Sequence, residues 1–227
     1  MDQKEIGRIF YRDGYRLALH HLEKELSASN LGAAIGELFR AVDELLEAFL
    51  QRSAMEGLAS DCKQDCTWCC HQEVFALSHE FLYLNKYVNQ NLSGETRTLI
   101  LGKARDKVKL SMNKSVEEQL KIRAACPFLE SGSCLAYEAR PMACRIYLSS
   151  SARSCKEEHD HPHNKAHHPD LFEFPLQAGR MLNEGFVACL KQMGLQVAEL
   201  PIEQGYSSLV TLGQTMEDWV RTGSRNL

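Results

Sequence analysis

Eight of the nine cysteines in this 227-residue chain fall into two groups, and any fold must accommodate both. Cys62, Cys66, Cys69 and Cys70 crowd into the nine residues "CKQDCTWCC". Cys126, Cys134 and Cys144 follow at intervals of eight and ten, and Cys155 lies eleven residues further on. Between the groups run 55 residues of mostly helical pattern, so a helical hairpin can bring the two ends together. Disulfides do not account for this usage. The count is odd, and disulfide-dense scaffolds are usually short secreted chains. The opening "MDQKEIGRIFYRDGYRLALHHLEK" is charged throughout and has no apolar core of a secretory signal. The expected compartment is the cytoplasm, where thiols stay reduced, and grouped thiols there point to metal binding or thiol chemistry.

Soft thiolates suit zinc, iron and iron–sulfur clusters, including a 4Fe–4S cluster. Two or three residues between cysteines let two sulfurs face one ion about 2.3 Å away. Pro127 and Gly132 supply turn geometry in the second group. Neighbouring side chains usually point different ways, so Cys69 and Cys70 need not share an ion. Eight thiols exceed one tetrahedral ion or one cubane, which leaves two sites, or one site with bystanders. Four thiolates around Zn2+ carry a formal charge of about −2. Arg140 and Arg145 flank Cys144 and are read as cofactor-binding groups that offset this charge and donate to the sulfurs. The competing reading pairs both arginines with carboxylates.

The rest of the chain reads as helix. Ile35, Leu38, Phe39, Val42, Leu45, Leu46 and Phe49 form one apolar face over 31–56, with Asn30 as N-cap and Gly57 as stop. A weaker helix over 4–24 is interrupted by Gly7 and Gly14. "EVFAL" reads as a short extended piece. Ser78 caps a helix carrying Phe81, Leu84, Val88 and Leu92, and "LSGE" breaks it. A single charged amphipathic helix is expected over 95–124. Residues 126–155 read as turns with short helical pieces, followed by a polar loop "EEHDHPHNKAHHPD". Leu182, Phe186, Cys189, Leu190 and Met193 mark another helix, and Leu209, Leu212, Met216 and Trp219 a last one. The fold class is therefore mainly α, helices packed around an irregular cysteine-rich metal-binding centre. One domain over 1–227 is expected, with a core at 60–160 and helical flanks at 1–59 and 161–227. A net charge of −4 gives no basic surplus for nucleic acid, and no apolar run is long enough for a membrane span.

These motifs resemble the YkgJ-type cysteine-cluster family, the zinc- or iron-chelating CxxCxxCC domain. The pattern joins a cysteine cluster to C-P-x-L, a G-x-C turn, Y-E-x-R-P and C-R-x-Y. Here these are Cys62, Cys66, Cys69 and Cys70, then Cys126 to Leu129, Gly132 to Cys134, Tyr137 to Pro141 and Cys144 to Tyr147. Cys155 also has a counterpart. The likeness covers about 60–160, with one extra residue between Cys62 and Cys66. It implies a metal ion as partner and thiolate ligation. Cys66, Cys69, Cys126, Cys134 and Cys144 are the first ligand candidates, with Cys62, Cys70 and Cys155 next. Flagellin lysine methylases carry a similar cluster, so the resemblance also admits an enzyme.

Other readings compete. Cys62-x3-Cys66-x2-Cys69 is similar to the cluster loop of radical S-adenosylmethionine enzymes, but the alternating strands and helices of those enzymes are not visible. An iron–sulfur enzyme of methyl transfer on another fold stays open. So does a thiol-based redox or metal sensor. Cys66-Thr67-Trp68-Cys69 as an oxidoreductase motif lacks its βαβ setting. Cys189 is read as a buried structural cysteine. His71 is read as a surface histidine, with ligation as the alternative. His159, His161, His163, His167 and His168 read as a solvated loop, with a labile second metal as the alternative. Trp68 either shields the centre or packs.

Overall fold

The structure, a computed structural model, describes residues 3–63, 65–164 and 166–223. Both ends of the expected 1–227 span lie outside those residues, as do Gln64 of the first cysteine loop and Lys165 of the histidine tract. Ten α-helices, two short 3-10 helices and four short strands make up the described elements. The chain is mainly helical, with the eight grouped cysteines in irregular segments, short helices and one two-residue strand.

Helix α1 (Gln3–Leu22) runs unbroken through both of its glycines. Gly14 does not interrupt it, because the helix is held by α8 (Glu173–Gln192). The two axes pack so closely that a Cβ at Gly14 would lie 1.9 Å from the Leu182 carbonyl oxygen. A Cβ at Gly185 would lie 1.8 Å from that of Tyr11. The absent side chains are what permit the approach. Gly185→Ala is therefore expected to destabilise the protein by about 1–3 kcal/mol, since rigid backbone rather than a side chain must move. The gain of roughly 1 kcal/mol in helix propensity does not offset this. Gly102 meets nothing within 4 Å, so Gly102→Ala should be neutral or stabilising. Thermal melts of the pair test this: equal shifts of the same sign would refute the close approach.

Helix α2 (Ala28–Met55) crosses beneath this pair. Its fully buried Ile35, Leu38 and Val42 lie along the expected face. Phe49 stacks on Phe174 and meets Phe172 edge-on. The N-cap is Ser27, not Asn30: the Ser27 hydroxyl accepts from the Asn30 N–H. Gly57 does follow the helix end, with φ +86.

"EVFAL" forms β1 (Phe75–Leu77), antiparallel to β4 (Glu199–Pro201). Helix α3 (Ser78–Asn91) starts directly from β1, with Leu77 rather than Ser78 at the cap. The Glu80 carboxylate accepts from the Leu77 N–H at 2.7 Å. Its other oxygen accepts from the Met142 N–H at 2.7 Å, so one buried carboxylate ties two helix starts together. The expected helix over 95–124 is two: α4 (Gly94–Ser111) and α5 (Val116–Gln119). Asn113 takes a left-handed conformation, φ +63, and Ser115 with Glu118 builds a capping box that starts the second. The last helix is likewise divided into α9 (Ile202–Leu212) and α10 (Met216–Thr222). Gly213 at φ +63 ends the first and Thr215 caps the second. Among the described residues no helix is long and apolar enough to cross a membrane.

Candidate metal centre

The first cysteine loop is shaped by local turns. Asp65 sits at φ +67, and the Cys66 N–H donates to the Lys63 carbonyl at 3.1 Å. The extra residue between Cys62 and Cys66 is thus accommodated in a turn. Trp68–His71 then forms one 3-10 turn, which carries Cys69 and Cys70.

The second group is laid out by a hairpin and a short helix. β2 (Leu129–Glu130) pairs with β3 (Ser133–Cys134) through a turn with Ser131 at φ +47 and Gly132 at φ +79. The Leu129 N–H donates back to the Cys126 carbonyl, so Cys126 and Cys134 flank the same hairpin. Cys144 lies in α6 (Met142–Ile146), whose first N–H is held by Glu80. Cys155 lies in α7 (Ala152–Asp160), capped by Ser151. The first four residues of the expected polar loop therefore belong to a helix.

Several contacts join the groups, and two of them seat the first loop on the hairpin. The Cys126 N–H donates to the Cys70 carbonyl at 2.7 Å. A Cβ on Gly132 would lie 2.9 Å from a carboxylate oxygen of Asp65, so the hairpin turn rests against the first loop. Gly132 supplies the turn expected of it, and Asp65 is a positioning residue that the sequence did not single out.

Four of the eight thiols form one mutually close group. Cys70, Cys126, Cys134 and Cys144 all lie within electrostatic reach of one another, every pair included. Cys126 and Cys134 pack on the hydrophobic core. Cys66 is within reach of Cys62, Cys155 and Cys70, and Cys69 of Cys70, Cys144 and Cys62, so the remaining thiols connect with this group. Cys62 is exposed. Cys189, 1% exposed on α8, stands apart in the core.

Burial pushes the Cys126 thiol up to about 12 and raises Cys134 and Cys144 as well. Cys70 is the exception: a hydrogen bond from the Cys69 thiol pulls it down to about 7, and the same bond pushes Cys69 up. A metal that binds here must displace protons from the raised thiols. The donor set is all soft sulfur, which fits zinc or iron and not a hard oxygen-seeking cation. As the side chains stand, no three Cys, His, Asp or Glu among the described residues converge closely enough to hold an ion. Chelation requires the thiols to turn in from their present rotamers.

Arg145 is 1% exposed, and its guanidinium donates to the Asp43 carboxylate and to the Arg140 and Glu138 carbonyls. It also covers the Phe39 ring at 4.1 Å. Arg140 donates to Asp43 at 3.1 Å and to the Tyr137 carbonyl. These bonds go to Asp43 and the main chain rather than to sulfur, which is the carboxylate-pairing alternative for both arginines. Arg140 still lies near enough to Cys134 to favour its thiolate. The pair therefore braces the segment that carries Cys144. His159 is not in a solvated loop: its ring packs on Trp68 at 5.3 Å and on His71 at 5.5 Å. His161 and His163 are exposed.

Searches of curated proteins and of solved structures give no match. The comparison with family models does, over the segment that holds all eight grouped cysteines. Residues 61–167 match the model of the CxxCxxCC family, described as "Putative zinc- or iron-chelating domain".

Proposed function

We propose that this domain holds its metal through thiolates of the core-side quartet, Cys70, Cys126, Cys134 and Cys144, and that the bound metal stabilises the fold. The observation that carries this is the mutual proximity of all four, fixed by the main-chain bond from Cys126 to Cys70. Irregular segments with little strand pairing gain most from such a cross-link, because the unfolded chain has no preformed site. Arg140 and Arg145 act through the main chain, keeping Cys144 beside its partners. The flanking helices and the 60–160 core work as one unit. A reducing compartment such as the cytoplasm suits thiols used this way.

Metal and acid-labile sulfide analysis with a visible spectrum, on anaerobically purified protein, tests the reading. Stoichiometric zinc in colourless protein, without sulfide, would mark a structural or interaction module. Iron with sulfide and a broad band near roughly 400 nm would mark a cluster and direct attention to electron transfer, sensing or methyl transfer. Protein that carries no metal and takes up neither Zn2+ nor Fe2+ would defeat the assignment.

A further inference from the structure

The short helix that carries Cys144 is started from outside itself. α6 follows Pro141, which as N-cap makes no side-chain bond to its first turn. The acceptor comes from Glu80, 62 residues earlier, whose carboxylate takes the Met142 N–H at 2.7 Å. Glu80 is the third residue of α3, the place from which a carboxylate reaches back to the N-cap N–H, and its other oxygen does so at Leu77. One acceptor oxygen serves that cap. Burying a whole carboxylate there, 2% exposed, is costly unless both oxygens are used, and the second one holds α6. The Pro141 carbonyl closes the turn, accepting from the N–H of Cys144 at 3.0 Å and of Arg145 at 3.2 Å. α6 is also seated against α8, where a Cβ on Gly179 would lie 2.3 Å from the Ile146 side chain and 3.3 Å from the Met142 sulfur. Asp43 holds the same helix from α2 through the Arg145 guanidinium. Cys144 thus stands in a segment held by three helices, and none of these contacts uses its sulfur.

Resting on the thiolate-chelation reading above, we infer that Glu80 is a positioning residue of the metal centre: by fixing the start of α6 from α3, it sets where the Cys144 sulfur stands before any metal arrives. It acts through the main chain rather than on the sulfur. Without it the buried Met142 N–H has no acceptor, so the first turn of α6 loosens and Cys144 leaves its place. Glutamine is not an equivalent. Its amide has one acceptor oxygen for two N–H donors, and its own NH2 group faces one of them. Electrostatics alone gives the opposite sign. Glu80 lies within reach of Cys144 and disfavours its thiolate, so removing the charge should tighten metal binding unless position decides.

Full-length protein reconstituted anaerobically with Zn2+ provides the test, by competition with a chromophoric chelator at one fixed pH. Glu80→Gln should bind Zn2+ about tenfold or more weakly than wild type, the scale of one lost hydrogen bond to a charged group. Gly185→Ala, which loosens α1 against α8, should stay within about twofold of wild type, because distant sites act independently. Pro141→Ser puts a hydroxyl at the N-cap of α6, and Glu80→Gln/Pro141→Ser should regain part of the lost affinity. Amide exchange of metal-free wild type reads the same point without a variant: the Cys144 and Arg145 amides should be protected before Zn2+ is added. Unchanged or tighter binding in Glu80→Gln would overturn the inference, and so would equal losses in Glu80→Gln and Gly185→Ala. Unprotected Cys144 and Arg145 amides would overturn it too, by showing that the metal and not Glu80 orders α6. All three results leave chelation intact. Failure of the chelation reading is distinct: wild type itself then takes up no Zn2+, and the inference falls with it.

Discussion

Cys126→Ser/Cys144→Ser is expected to lose the core-side metal and to melt roughly 8–16 °C below the loaded wild type. A ligand present at about 1,000 times its Kd stabilises a fold by about 4 kcal/mol. For a chain of this size each kcal/mol is worth about 2–4 °C in Tm. Serine is close in shape to cysteine, so little packing is lost with the sulfur. The control follows from that. With excess chelator, wild type and variant should melt within a few degrees of each other, because neither then holds a metal. A variant equally destabilised with and without chelator would show that Cys126 and Cys144 serve the core as apolar fillers. Half-burial of Cys126 and Cys144 makes that alternative a real competitor, since free cysteine packs well against cores.

The features legible in the sequence were those encoded by neighbours. The α2 face repeats Ile35, Leu38, Phe39 and Val42 at helical spacing, and it is buried as that pattern requires. Boundaries set by a single residue's conformation were harder. Asn113 and Gly213 each turn left-handed and split what reads as one periodic run, and apolar spacing carries no record of that. Capping signals did mark both restarts: Ser115 with Glu118, and Thr215 with Asp218, are complete capping boxes. At the centre, the cysteine types and groups were legible but the contacts that tie the groups together were not. Those run from the Cys126 N–H to the Cys70 carbonyl and from the Ser149 N–H to the Cys62 sulfur, between residues far apart in sequence. The carboxylate partner of the two arginines was not legible for the same reason, since Asp43 lies on a helix well upstream.

The least legible feature is a buried charge cluster behind the centre, and it makes a large prediction. Lys107 lies on the buried stripe of α4 after Ile100 and Ala104, a lysine where an apolar residue belongs. Its ammonium is 3.2 Å from the Glu203 carboxylate and 3.6 Å from that of Glu73, with all three side chains 3% exposed or less. Glu73 is pushed up to about 8, first by burial and then by the Glu203 carboxyl beside it, while Lys107 pulls the other way. Lys107→Met leaves the buried carboxylates without their cation, which costs about 3–5 kcal/mol. That is roughly 6–20 °C in Tm at neutral pH. Replacing the charged partner as well, in Lys107→Met/Glu203→Gln, should recover at least half of it, because no unpaired buried charge then remains. The pH dependence has a fixed sign. A carboxyl raised from its ordinary 4.5 to about 8 stabilises the fold fully below 4.5, and that contribution is lost as pH rises through 8. Wild-type Tm should therefore decline across this window, and Glu73→Gln, the neutral mimic, should flatten the decline. Because Lys107 also lies within electrostatic reach of Cys126, zinc content must be measured alongside each melt. A Lys107→Met protein that melts with wild type from pH 5 to pH 9 would show that the cluster is hydrated and carries no buried charge.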